Sequence, residues 1–183
     1  MENPLKIEVR EISPAEIELL LDYWYSASPE FLTGMGIDLK LFPERNQFKK
    51  TLELQIQSPY EHKKAYCVIW WLNNIPCGHS NINPIDFGNE AAMHLHLWKT
   101  DGRQKGIGTE FVRKSIPFYF KNFHLKKLRC MPYAANPAPH RVLEKAGFRN
   151  MGRKTLIHGS FNFEQEVIDW VITREEFDRM QTI

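Results

Sequence analysis

One mixed sheet with helices on its faces, an α/β fold of the mixed α+β kind, is what this sequence predicts, and three observations predict it. The chain has 183 residues, the usual size of one domain, so a single core is expected across 1–183. Its first half alternates apolar and polar residues in runs joined by a tight turn, the mark of antiparallel strands. Its second half reads strand, long helix, strand, a crossover that brings parallel strands together.

The elements follow in order. Lys6 to Ile12 alternates Ile7 and Val9 with Lys6, Glu8 and Arg10, and reads as a strand. Ser13-Pro-Ala-Glu16 is a capping box with Pro at the first helical position. The helix it opens carries Ile17, Leu20, Leu21 and Trp24 on one face. A loop containing Gly34 and Gly36 follows, then a second helix from Pro43 to Gln57 with a weaker stripe of Phe48, Leu52 and Ile56, stopped by Ser58-Pro59. Lys64 to Leu72 and Ile75 to Asn83 form a hairpin turned by Asn73-Asn74. Ala91 to Trp98 is the next strand, with Met93, Leu95 and Leu97 on one face and His94, His96 and Trp98 on the other. Gly106 to His124 is helical, with Pro117 expected to kink it. Lys127 to Pro132 is a short strand, Asn136-Pro137 caps a helix that Gly147 ends, and Lys154 to Phe163 with Glu166 to Thr173 make a last strand pair.

Composition excludes several classes. Apolar residues make up 43% and charged residues 25%, with five Trp and twelve Phe, so a packed core is affordable and disorder is not expected. The longest apolar run, Ala65 to Leu72, is far short of the roughly 20 residues a membrane helix needs. The acidic N-terminal stretch fits neither a secretory signal nor a transit peptide, which makes a cytoplasmic location the expectation. Cys67, Cys77 and Cys130 suit reduced thiols rather than a disulfide framework. With His79, His94 and His96 they lack the spacing of a metal site, and no metal is expected. A net charge of +2, with one short basic stretch from Lys121 to Arg129, does not indicate a nucleic-acid partner.

Chemistry concentrates between Trp98 and the long helix. Lys99-Thr-Asp-Gly-Arg-Gln-Lys-Gly-Ile-Gly-Thr109 is neither a Walker loop nor a dinucleotide fingerprint. It still places two glycines two apart directly before a helix N-terminus, whose bare amides and positive dipole end receive an anion such as a pyrophosphate. Arg103 and Lys105 add charge at its mouth.

Arg103-x-x-Gly106-x-Gly108 after a strand, followed by Asn136 and the Val-Leu-Glu-Lys-Ala-Gly-Phe ending at Phe148, resembles the GNAT superfamily of acyl-CoA-dependent N-acetyltransferases, in the manner of its ribosomal-protein N-acetyltransferase-like members. The resemblance covers about Ala91 to Phe148 and implies a GNAT-like central mixed β-sheet of about seven strands and about four helices, with strands 4 and 5 parallel and splayed. It implies acetyl-CoA as co-substrate, with the pyrophosphate on the backbone of Gln104, Lys105, Gly106, Ile107, Gly108 and Thr109 and Arg103 opening the motif. It also implies that backbone groups of Leu97 and Trp98 pair with the pantetheine arm, and that Asn136 contacts it while capping its helix.

Acetyl transfer to an amine needs a free lone pair, and a lysine-type amine with a pKa of about 10.4 is almost wholly protonated at neutral pH, where an α-amine at about 7.7–8.0 keeps a free fraction. His94 and His96, on one strand face, are the candidate bases, with His79 a further one. Two positions depart from the family pattern: Leu143 stands where many relatives have a Tyr acid, and Met131 where ribosomal-type relatives have a Glu. Tyr133 and His140 are the candidate replacements as proton donors. A strand amide near Trp98, left unpaired by the splay, is expected to receive the oxyanion.

The acceptor surface is expected on Tyr23 to Leu41 and Asn83 to Glu90, where Tyr23, Trp24, Tyr25 and Phe31 accompany Glu30, Asp38, Asp86 and Glu90. A protein or peptide N-terminus or a small-molecule amine is the expected acceptor, with no nucleic acid or membrane partner and a monomer or homodimer as the assembly. An aminoglycoside or polyamine acetyltransferase stays open, as does a non-catalytic CoA-binding module of the same fold.

Overall fold

The computed structural model describes residues 5–98, 106–157, 159 and 161–182. Its seven-stranded sheet begins with β1 (Ile7–Glu11), β2 (Tyr66–Leu72), β3 (Ile75–Asp86), β4 (Glu90–Leu97) and β5 (Lys127–Cys130), and ends with β6 (Arg149–Ile157) as the edge strand beyond β7 (Glu164–Thr173). Of these neighbours only β4 and β5 run parallel. Among the described residues six α-helices surround it: α1 (Ile17–Tyr25), α2 (Pro29–Gly34), α3 (Arg45–Gln57), α4 (Ile107–Phe123), α5 (Pro137–Lys145) and α6 (Arg174–Gln181).

Local chemistry accounts for most of these boundaries. The Ser13 amide donates to the Glu16 carboxylate at 2.8 Å, closing the capping box ahead of α1. Asn73 and Asn74 both adopt positive φ, 50° and 64°, which matches the right-handed twist of the β2–β3 hairpin. Asn136 caps α5 by accepting from the Ala138 amide, and Gly147 takes φ 94° just past its end.

The structure adds two helices to the four expected. α2 lies in the loop around Gly34, capped by Ser28 with Pro29 at its first position. α6 opens on a second capping box, Thr173 with Glu176, at the end of β7. The last hairpin also starts earlier, at Arg149, because Gly152 at φ 101° lies within a register shift between Asn150 and Arg153 rather than breaking the strand. Pro117 sits inside α4 without ending it.

The two faces of the sheet are filled differently. On one, Val68, Trp70, Ile82, Met93 and Leu128 pack against Phe111, Val112, Ile116, Tyr119 and Phe123 of α4, all buried. Trp70 stacks on Phe111 with ring centres 5.0 Å apart and donates its indole N–H to Ser115. On the other face, among the described residues, Leu20, Cys67 and Ile69 form a small buried cluster, bordered by Ile12, Trp24, Leu52, Trp71 and Trp98. No residue of α3 is buried, although its stripe of Phe48, Leu52 and Ile56 faces inward. That stripe borders a cavity instead of a packed core.

Candidate active site

The parallel pair supplies the first feature. β4 and β5 are paired only from Glu90–Lys127 to Met93–Cys130, yet β4 continues to Leu97. Beyond Cys130 the chain keeps company with β7 instead: Ile168 donates to the Pro132 carbonyl and Ala134 to that of Glu166. The sheet therefore opens between the upper half of β4 and the segment after β5.

Register decides which backbone groups face that opening. The Trp98 amide donates to the Cys77 carbonyl at 2.8 Å, so Trp98, His96 and His94 direct their backbone groups at β3. Leu95 and Leu97, the alternate residues, direct theirs away from β3 toward the opening. This corrects the expectation that an unpaired amide lies at Trp98, and with it the expected pairing of Trp98 to a pantetheine arm. Its amide is spent on β3, and its indole N–H donates to His79 Nδ1 at 2.7 Å.

The N-terminus of α4 follows β4 in the chain, and its Gly106, Ile107 and Thr109 border a recess of about 430 Å³ with Leu5, Ile7, Arg113 and Lys145. Arg103, Gln104 and Lys105 lie outside the described residues. Gly106 takes φ 100°, which only glycine adopts freely, and open space lies where a Cβ would be. The first-turn amides of Ile107, Gly108 and Thr109 have no acceptor within the helix, the arrangement that receives a phosphate. Gly108 serves packing as well: a Cβ there would stand 3.3 Å from Val142 Cγ2, so its absence lets α4 approach α5. These amides and the open strand edge fit the pyrophosphate and the amide-bearing arm of acetyl-CoA.

A cavity of about 590 Å³ runs from α3 across the sheet to the β4–β5 opening. His79, His94 and His96 line it together, because His79 pairs with His96 in register and Asn81 with His94, putting all on one face. His96 stacks on His79 with ring centres 4.5 Å apart and planes 11° off parallel. Tyr23 from α1 brings its hydroxyl to 3.3 Å from His96 Nδ1, and Trp24 meets the same ring edge-on at 4.9 Å. His94 Nε2 lies 2.9 Å from the Asn83 carbonyl and donates to it, which fixes that ring's tautomer. His79 Nδ1 accepts from an indole that can only donate, so its proton is on Nε2.

Burial sets the charge of this cluster. It pushes His96 down to about 3 and His94 below its usual 6.5, and it depresses His79 further with help from His96 and His94 nearby. All three are neutral at physiological pH. Burial also raises the Tyr23 hydroxyl far above its ordinary value, keeping it protonated.

The remaining candidates divide. Tyr133 lines the cavity at the opening and is 44% exposed. Asn136 and Met131 line it too. His140 does not: Trp170 donates to its Nδ1 at 3.0 Å, and its Nε2 donates to the Tyr133 carbonyl at 3.1 Å. Both ring nitrogens are thus committed to holding the segment that carries Tyr133. Leu143, in the usual acid's place, is buried in the core beneath α4 and is no part of the cavity wall. Glu30, Asp38, Asp86 and Glu90, read from the sequence as acceptor-side acids, are not among the lining residues, and Glu90 pairs with Lys127 at 2.5 Å. The basic stretch from Lys121 to Arg129 loses Lys127 to that pair and Arg129 to Asp169. Sequence reasoning missed the Trp98–His79 bond and the role of α3 as a wall; the unusually weak stripe of α3 was the available signal for the latter.

A mixed sheet that opens past its parallel pair, followed in the chain by a helix whose first-turn amides are bare, fits an acyl-coenzyme A transferase. Residues 6–149 match the model of the Acetyltransferase (GNAT) domain, and the chain belongs to that family as an acetyl-CoA-dependent N-acetyltransferase. No curated protein matches the sequence significantly. Among solved structures, aminoglycoside acetyltransferase AAC(6')-Ib with coenzyme A and kanamycin is similar at a TM-score of 0.70 and 18% identity, over 96% of this chain and 99% of that one. A variant of the spermidine N-acetyltransferase SpeG from Vibrio cholerae gives 0.73 and 10%, over 96% and 98%. RimL, a ribosomal L7/L12 α-N-protein acetyltransferase in complex with coenzyme A, gives 0.71 and 13%, over 91% and 93%. At these identities the likeness is one of fold.

Proposed function

We propose that this protein acetylates a primary amine, a protein or peptide N-terminus or a small-molecule amine, by direct attack within a ternary complex. The observation that carries this reading is the meeting of the β4–β5 opening with a cavity lined by three neutral imidazoles. Acetyl-CoA, when bound, supplies the acetyl thioester. The amides of Ile107, Gly108 and Thr109 behind Gly106, with Arg103, Gln104 and Lys105 ahead of them, hold the pyrophosphate, and the backbone of Leu97 with the Asn136 side chain holds the pantetheine arm.

The amine nitrogen forms its bond to the acetyl carbon as the carbon–sulfur bond breaks. The backbone amide of Leu95 or Leu97 donates to the oxygen that gains charge during that attack. His94 or His96 takes the proton the nitrogen sheds, and Tyr133 returns one to the departing sulfur. A thiol of pKa about 8.5 leaves tolerably without help, so Tyr133 assists rather than enables turnover. Neutral, weakly basic imidazoles suit an acceptor amine whose unprotonated form is readily reached at neutral pH, which favours an α-amine over a lysine-type amine.

Thiol release from acetyl-CoA in the presence of peptides with free and with blocked N-termini tests this. Release that needs the free amine, and product mass raised by one acetyl group, are expected. A protein that binds neither coenzyme A nor acetyl-CoA in calorimetry is not what is proposed here.

A further inference from the structure

The acceptor half of the cavity is, among the described residues, nearly devoid of charge. Among the described residues that line it, Glu11 is the one carboxylate and Lys63 the one cation. Glu11 is already engaged: both of its oxygens accept from the Tyr60 hydroxyl, at 2.9 and 3.0 Å, and Oε1 accepts from Asn122 Nδ2 at 3.0 Å. Lys63 donates to the carbonyls of Gln55 and Ile56 at the end of α3, so it closes that helix. The two charges cancel and neither is aimed at a ligand.

Carboxylates exist close by but are used elsewhere. Glu18 and Asp22 of α1 are bound by Arg45 at 2.7 Å each, and Glu18 also by Lys49 at 2.6 Å, on the exposed α1–α3 surface. The wall combines Trp24, Phe48, Leu52 and Phe161 with neutral side-chain amides, those of Gln47, Gln55, Asn81, Asn83, Asn162 and Gln165. Such a wall binds apolar bodies and neutral dipoles, and its aromatic faces attract an ammonium by about 0.5 to 2 kcal/mol. Every further ammonium brought inside would lose its hydration without meeting a counter-charge.

From this wall we infer an acceptor with a single primary amine on an otherwise uncharged, largely apolar body, and a site that rejects polyamines and aminoglycosides. The inference rests on the N-acetyltransferase reading above and narrows its acceptor. A small monoamine and the first residues of an apolar peptide share this chemistry.

Four acceptors separate the outcomes in a thiol-release assay with the full chain: hexylamine, a C-terminally amidated Leu-Phe-Ala tripeptide, spermidine and kanamycin. One of the first two is expected to exceed both polycations by about a hundredfold in kcat/KM, the size of losing one or two buried charge pairs. Which of the two leads tells a small amine from a peptide. Spermidine or kanamycin used as well as, or better than, the monoamines overturns the inference while leaving acetyl transfer standing. So does acetyl-CoA bound in calorimetry with no release on any of the four. Failure to bind acetyl-CoA at all removes the N-acetyltransferase reading itself.

A gain-of-function variant tests the same point. Gln47 and Thr51 are exposed along α3 one turn apart and border the cavity, so Gln47→Glu with Thr51→Glu adds two carboxylates without disturbing buried packing. Spermidine turnover is expected to rise about tenfold in kcat/KM, one ion pair's worth of binding. No rise in spermidine use by a folded double variant overturns the inference.

Discussion

The two faces of the sheet are built from the same strands and end up doing opposite things. Against α4, aromatic and aliphatic side chains close completely, and Phe111, Val112 and Ile116 have no exposed surface at all. Against α1 and α3, the strands present histidines and asparagines, the helices meet them only in part, and the space left over is the cavity. The difference teaches that stability and chemistry are separated by strand parity: one side chain in two contributes packing, and the next contributes the site.

The sharpest way to break this comparison is to strike the cavity face. His94→Ala with His96→Ala should lower kcat by about 10² to 10⁴-fold, the range of a lost general base, with Tm moved by only a few degrees. Equal loss of stability and activity would mean the imidazoles are packing. On the opposite face, Phe111→Ala should cost about 3 to 5 kcal/mol in chemical denaturation, because the fully buried ring stacked on Trp70 leaves a void. Phe48→Ala on α3, half-buried at the cavity wall, should cost about 1 kcal/mol and act instead on the acceptor's KM. Comparable destabilisation by both phenylalanine variants would erase the distinction.

Gly106→Glu tests the N-terminus of α4. A side chain at φ 100° is strained and sets a carboxylate before the anion-receiving amides, so coenzyme A affinity should drop at least about tenfold by calorimetry, and unchanged affinity would place the diphosphate elsewhere.

The smallest effect is on pH. Burial lowers His79, His94 and His96 in the folded state, so below the ordinary 6.5 the unfolded chain binds protons that the folded chain refuses. Their contribution to stability is complete above 6.5 and shrinks as the pH falls from there toward the folded values, about 3 for His96. Tm should fall between pH 7.5 and pH 5, a window above the carboxylates, and the His94→Ala, His96→Ala protein should show a shallower fall. A Tm that holds or rises on acidification would contradict neutral histidines.

Much of this was legible beforehand for definite reasons. The capping boxes, the Asn-Asn turn and the alternation of β4 are short-range signals, and each appears where its residues put it. The helix after β7 carried the same kind of signal, Thr173 to Glu176, but lay at the end of a strand run that masked it. Side-chain parity of β4 could be read from sequence, so His94 and His96 were found on one face. Backbone direction could not, because it depends on which residue of β3 stands opposite, and the bulge between Ile82 and Ile85 shifts that count. For the same reason the sequence does not reveal that the Trp98 amide is used on β3. Leu143 shows the opposite limit: its position fitted a family pattern for an acid, while its burial under α4 settled it as core.

β4 therefore serves four clients at once, two through its odd-numbered residues and two through its even-numbered ones. Inserting or deleting a single residue at its start would exchange them wholesale, sending imidazoles into the hydrocarbon interior and leucines into the vestibule. Length changes in the Phe87–Asn89 connection should thus be tolerated in pairs sooner than singly, a parity rule that any redesign of this enzyme inherits.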